Sequence, residues 1–174
     1  MIQVVQQDIK NVSLPVPNGL DEIVNVFGSP CGVQLAAVIF KQPIGAIHAT
    51  RCHVKLRDIA QSVFDEIAAT GSNPLATSVS SWNLLDEYDG CFCCRAIRGQ
   101  TRHYSTHSWG IAFDLNAAHN PLASIPPASF DATHPFVFTS DHPIVKIFKK
   151  HGFTWGGEFQ HRKDPMHFQY STGY

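Results

Sequence analysis

Apolar residues recur along the chain at two periods, one near three and a half residues and one near two, and the predicted elements follow from where each holds. Between Gly19 and Gly28 the apolar positions Leu20, Ile23, Val24 and Phe27 fall at helical spacing. Asn18 stands ready to cap that helix and Gly28 to stop it. Val33 to Phe40 is a compact apolar run suited to a strand, and Gly45 to Val54 is a second extended stretch. The strongest helical pattern runs from about Lys55 to Thr70, where Leu56, Ile59, Ala60, Val63, Phe64, Ile67 and Ala68 make one stripe closed by Gly71. That stripe reads as core packed on a sheet.

Further along, Ser72 to Pro74 predicts a turn, residues 76–88 are mixed, and Asp89-Gly90 predicts a tight turn. Phe92 to Ile97 alternates as a strand would, with Cys93, Arg95 and Ile97 on one side. Ile111 to Leu115 alternates too, setting Ile111, Phe113 and Leu115 on one face and Ala112, Asp114 and Asn116 on the other. The proline-rich connection from Ala117 to Ser140 reads as surface. A second good helix follows, with Asp141 as cap, Pro143 in the first turn, Ile144, Val145, Ile147 and Phe148 inward, and Gly152 as terminator. His167 to Tyr170 is the last extended segment. Residues 1–18, with Pro15 and Pro17, are expected to form an extended lead-in to a single domain over 19–174; no internal repeat is visible.

Composition narrows the function. The 174 residues suit one domain, and a net charge of -1 offers no electrostatic case for nucleic acid. The N-terminus lacks a basic segment followed by an apolar one, and no apolar run reaches membrane-span length. The chain is therefore expected to be made in the cytoplasm without a signal peptide, with no membrane partner, and to act as a monomer. Its five cysteines cannot all pair within one chain, and reduced thiols are the default expectation. Cys91, Cys93 and Cys94 are crowded, but their spacing is not that of a thiolate zinc knuckle.

Two stretches carry candidate chemistry: Ser105 to Asp114, and Asp164-Pro165-Met166-His167-Phe168. Each pairs a histidine with a carboxylate. On a helix His107 and Asp114 would lie about 10 Å apart, and on a straight strand farther, so one metal could not hold both. The chain must bend between them, and Gly110 permits the bend. His167, on a strand beside that of Asp114, would complete a set of two histidines and one carboxylate with an open position, as in a catalytic zinc site. Asp164, held extended by Pro165, is the candidate general base, and Arg95, with Arg98 behind it, the candidate for stabilising an oxyanion. Each of the other histidines reads more simply as a surface or hydrogen-bonded residue.

Ser105-Thr106-His107-Ser108-Trp109-Gly110-Ile111-Ala112-Phe113-Asp114 resembles the S-x-H-x-x-G-x-A-x-D signature of the M15 zinc peptidases, the D-alanyl-D-alanine carboxypeptidase and VanY-like group that includes phage endolysins. Asp164 to Phe168 resembles that family's closing motif, and Phe153 to Gly157 and Cys94 to Ile97 are similar to phage-type members. The resemblance implies one Zn2+ bound by His107, Asp114 and His167, with Asp164 as base and Arg95 stabilising the transition state. It sets Ser105 and Trp155 near the substrate. The implied fold is α+β, a small central antiparallel sheet with helices mainly on one side, as in hedgehog and DD-peptidase domains. The implied activity is cleavage of a D-Ala-D-Ala or L-Ala-D-Glu bond in peptidoglycan stem peptides. Such an endolysin would reach the cell wall once the host membrane is permeabilised. A catalytically inactive zinc-containing binding domain is the alternative. Two departures stand out: Gln169 replaces a frequent glutamate, and the base is aspartate where other branches use glutamate.

Overall fold

The computed structural model describes residues 14–44, 47–70, 88–122 and 133–173. The turn expected at Ser72 to Pro74, the closure by Gly71 and most of the mixed segment with Trp82 lie outside these residues. The described chain is α+β, with three α-helices and two antiparallel sheets in place of one. Helix α1 (Gly19–Phe27) is followed by β1 (Leu35–Ile44) and β2 (Ile47–His53), which pair as a ribbon. After α2 (Arg57–Thr70) come β3 (Tyr88–Gly90), β4 (Ala112–Leu115), α3 (Pro143–Lys150), β5 (Thr154–Trp155) and β6 (His167–Gln169). These later strands form a second sheet in the order β3-β4-β6-β5.

The core sits where α2 and α3 cover one face of the second sheet. Phe113 and Phe168 are direct cross-strand partners on β4 and β6. Phe168 stacks on Phe148 of α3 at 4.3 Å, and Phe113 meets Phe64 of α2 at 5.6 Å. The α2 stripe is buried as its spacing requires, with Ile59 partly exposed. Phe40 of β1 packs on Phe64 from the other side, and Gln61 hydrogen-bonds both the N–H and the carbonyl of Ile39, so α2 joins the two sheets.

Several local expectations need correction. In α1 only Ile23 and Phe27 are buried; Leu20 and Val24 face outward beside Tyr104, because α1 lies at the rim and one face has nothing above it. The Asn18 side chain does not cap α1; Glu22 Oε2 accepts from the Asn18 N–H instead. Asp89-Gly90 closes β3 and pairs with β4. Phe92 to Ile97 is not a strand: only Ala96 bridges, to Tyr104, because this stretch bonds to the turn carrying His107. His142, not Asp141, caps α3, its Nδ1 accepting from the Ile144 N–H. The connection after β4 is partly core, since Asn120 bonds the Phe136 carbonyl and the Phe138 N–H and Phe138 is buried. Residues 14–18 are extended but stitched to the C-terminus, with Gly19 N–H donating to Thr172 O and Tyr170 Oη to Leu14 O.

The expectation of reduced thiols is also overturned for one pair, since Cys31 and Cys94 form a disulfide. Cys31 N–H donates to Ser108 O while Cys93 N–H donates to His107 O, so two distant segments flank the same turn and bring the two cysteines together. Cys52, Cys91 and Cys93 remain free thiols.

Helices α2 and α3 are also joined at the surface, where Glu66 accepts from Lys150 Nζ at 2.9 Å and meets His151 Nε2 at 2.8 Å. The hydrogen bonds from Lys150 and then His151 hold the Glu66 carboxyl below its ordinary range. A depressed carboxylate pKa stabilises the fold above the unfolded value, and that stability is lost as pH falls through the folded value. Glu66→Gln is expected to cost about 1 kcal/mol at pH 7 and almost nothing at pH 3, measured by urea unfolding. Equal losses at both pH values would locate the effect in packing and not in charge.

Candidate active site

The same alternation that sends Phe113 and Phe168 to the helices sends their neighbours the other way. Asp114 and His167 are direct cross-strand partners, so both side chains leave the opposite face of the sheet. His167 Nδ1 lies 2.9 Å from Asp114 Oδ1. His107 reaches them from a 3-10 turn, Thr106–Trp109, in which the His107 N–H donates to the Ser105 side chain and whose end is Gly110 in the left-handed conformation, φ 66° and ψ 34°. His107 Nε2 lies 3.1 Å from Asp114 Oδ2 and 3.2 Å from His167 Nδ1.

Gly110 is required twice over. Its φ is one that side chains rarely adopt, and a Cβ there would fall 2.9 Å from the His53 backbone nitrogen and 3.0 Å from Leu35. The turn expected between His107 and Asp114 is thus formed at this residue, with β4 returning beneath the loop.

The outward partners of the two histidines set which nitrogen faces inward. His107 Nδ1 hydrogen-bonds Cys91 O, a carbonyl that can only accept, so the proton sits on Nδ1 and the Nε2 lone pair points at Asp114. His167 Nε2 faces Gln169 Oε1 at 3.1 Å and Thr106 Oγ1 at 3.2 Å. Donation from Nε2 to the Gln169 oxygen leaves the His167 Nδ1 lone pair inward as well. Two nitrogen lone pairs and a carboxylate then converge with no proton of their own to share. A cation resolves that arrangement, as does a proton taken up by an imidazole, which then donates to Asp114.

The donor set fits zinc. Ligand atoms of all three residues lie within 4.8 Å of one another, and the spacings of 2.9–3.2 Å approach the roughly 3.3 Å edge of a tetrahedron with bonds of about 2.0–2.1 Å. Without the ion, burial pushes the Asp114 carboxyl up, but the hydrogen bonds from His107 and His167 outweigh it and hold the group well below the usual carboxylate range. The same pairing outweighs burial at His167 and raises its pKa.

Beside the three lies a cavity of about 310 Å³ lined by Arg95, Ser105, Asp114, Asp164 and His167, among others. Asp164 N–H donates to Gly156 O and Asp164 O accepts from the His167 N–H, so the carboxylate is tied to the ligand strand by backbone. Its Oδ1 is buried and makes no hydrogen bond among the described residues. Burial raises the Asp164 pKa, with His167 opposing and Asp114 reinforcing. Gly156 allows this approach, since a Cβ there would collide with the Asp164 carbonyl oxygen.

Arg95 lines the cavity from an irregular segment whose backbone is clamped at both ends: Arg95 N–H donates to Ser108 Oγ at 3.0 Å, and Ser108 Oγ donates to Arg95 O at 2.8 Å. Trp155 does not line the cavity. It stands opposite Phe168 in the register and therefore on the core face, and its Nε1 donates to Pro165 O, which braces the segment carrying Asp164. Thr106, Ser108 and Gln169 escaped the sequence reading as contributors to the site. Thr106 and Ser108 sit inside the motif at positions flanking His107, and Gln169 lies two residues beyond His167 on the same strand face, which is the signal that could have found them.

Residues 98–170 match the model of a family described as D-alanyl-D-alanine carboxypeptidase. The matched span contains His107, Asp114, Asp164 and His167 and begins after Arg95; it supports a peptidase. Comparison with curated proteins and with solved structures gave no match.

The geometry groups His107, Asp114 and His167 as candidate metal ligands and leaves Asp164 outside that group. His107→Ala is expected to abolish stoichiometric zinc binding, whereas Asp164→Ala should retain one ion per chain, read by elemental analysis after dialysis. Equal metal loss in the two variants would make Asp164 a ligand.

Proposed function

We propose that this chain is a zinc-dependent peptidase that hydrolyses peptide bonds in bacterial peptidoglycan stem peptides, as a phage endolysin does. The observation that carries the reading is the pairing of three converging metal-type acceptors, His107, Asp114 and His167, with a second carboxylate, Asp164, that lines the adjoining cavity and is buried at Oδ1 with no hydrogen bond among the described residues. A binding domain has no use for such a group, because an unpaired buried polar atom is costly and gives affinity nothing.

His107, Asp114 and His167 would hold the zinc, which when bound polarises a carbonyl and makes water acidic near neutral pH. Asp164 Oδ1 accepts the proton of the attacking water and delivers it to the leaving nitrogen. Its raised pKa suits both halves of that task, since a stronger acid would hold the proton poorly. Arg95 offers guanidinium donors to the developing oxyanion. The aspartate is one methylene shorter than a glutamate, and Gly156 compensates by letting the Asp164 backbone lie against its own. Ser105 lines the same wall, where it caps the His107 turn and presents its hydroxyl near the substrate.

The bond is either D-Ala-D-Ala or L-Ala-D-Glu. Digestion of purified peptidoglycan, followed by mass spectrometry of new termini, names it. Wild type is expected to release peptides only with zinc present, and a chelator should stop release until zinc is restored. Asp164→Asn should lose activity by about 10²- to 10⁴-fold while keeping the metal. Absence of any zinc-dependent release from wild type would overturn the enzyme reading.

A further inference from the structure

The proposed mechanism uses one arginine of the cavity, yet the cavity has three. Arg95, Arg98 and Arg162 all line it, half of the chain's arginines, and none of the described lysines does. None of the three guanidiniums forms an ion pair among the described residues, in contrast to Lys41, Arg57, Lys146, Lys149 and Lys150, which all do. Of the two carboxylates lining the cavity, Asp114 faces His107 and His167, and Asp164 forms no ion pair with an arginine among the described residues. All three are solvent-exposed residues on the cavity lining, so together they present it with positive charge that suits a bound anion. Arginine in place of lysine points to a planar anion, because the guanidinium fork matches a carboxylate with two parallel hydrogen bonds.

Arg98 and Arg162 come from different segments of the chain. Arg98 belongs to the hairpin closed by the Ala96–Tyr104 bridge, and Arg162 to the loop two residues before Asp164. They are joined, since Arg162 Nη1 donates to the Arg98 backbone carbonyl at 2.7 Å. That bond uses one guanidinium N–H, and Arg162 also lines the cavity.

We propose that Arg98 and Arg162 form a subsite for a free substrate carboxylate next to the scissile bond, making the protein selective for stem peptides in which that group is a carboxylate and not a carboxamide. The proposal rests on the peptidase reading. Two sources share this chemistry, the C-terminal carboxylate of a terminal D-alanine and the α-carboxylate of the glutamyl residue.

The test uses zinc-loaded protein and two pairs of synthetic stem peptides, one pair with carboxylate or carboxamide at the terminal D-alanine, the other with carboxylate or carboxamide at the glutamyl α-position. Wild type is expected to favour the carboxylate member of one pair by about 10- to 100-fold in kcat/KM, carried in KM, the range of a charge-assisted hydrogen bond. Arg98→Gln and Arg162→Gln should each reduce that ratio, and the double variant should bring it near one. Arg98→Gln keeps the backbone acceptor of the Arg162 bond, so its effect on the ratio cannot come from loosening the hairpin. Arg162→Lys, which can still reach that carbonyl, should lose selectivity relative to wild type. Cleavage without discrimination in both pairs, or an undiminished ratio in the double variant, overturns the subsite and leaves the peptidase standing. Failure to cleave any of the peptides overturns the peptidase reading and the subsite with it.

Discussion

The site depends on one register. Asp114 opposite His167 across β4 and β6 is a consequence of backbone hydrogen bonding, and a slip by one residue would send both side chains into the helices and Phe113 and Phe168 into the cavity. The aromatic pair prevents that slip. Phe113 and Phe168 are fully buried against Phe64, Phe148 and Phe153, and exposing two such side chains would cost roughly 3–6 kcal/mol. The hydrophobic core and the metal-type ligands are thus two faces of one constraint.

Much of this was legible in the sequence because it is periodic. The α2 stripe, the inward face of α3 and the alternation from Ile111 to Leu115 follow from spacing, and the bend at Gly110 follows from the impossibility of joining His107 and Asp114 on any straight element. What was not legible depends on contacts between distant segments. The Cys31–Cys94 pairing arises because two segments dock on the Thr106–Trp109 turn, and no spacing of five cysteines encodes that docking. Phe92 to Ile97 alternates like a strand but finds no neighbouring strand along its length, so its backbone bonds to the turn instead. Trp155 fell on the core face because β5 pairs with β6 in the register that opposes it to Phe168, a fact invisible in the motif around it.

The outer contacts of the two histidines show how a neutral residue at 169 fits a cluster that could hold a metal. Gln169 Oε1 faces His167 Nε2 and accepts from Thr106 Oγ1, while its Nε2 points to Ser171 O at 3.5 Å. The carboxamide therefore orients the imidazole without adding a buried charge. A glutamate would bring a second carboxylate into a region that already holds Asp114 and Asp164, and would draw the His167 proton more firmly outward. Cys91 O plays the corresponding part for His107, and it too is uncharged.

One turn links all of these parts. Ser105 meets the N–H of His107; Thr106 touches His167 and Gln169; His107 turns its Nε2 to Asp114; Ser108 grips the Arg95 backbone through its N–H and its carbonyl; Trp109 donates to Gly28 O; Gly110 turns the chain into β4. Side chains of a 3-10 turn point in three directions, with i and i+3 aligned, whereas those of a strand point in two. That is the physical reason for a dense motif here. It also explains how Arg95, on a segment with almost no regular pairing, is held beside the cavity: its backbone is bonded through Ser108 to the turn that positions His107.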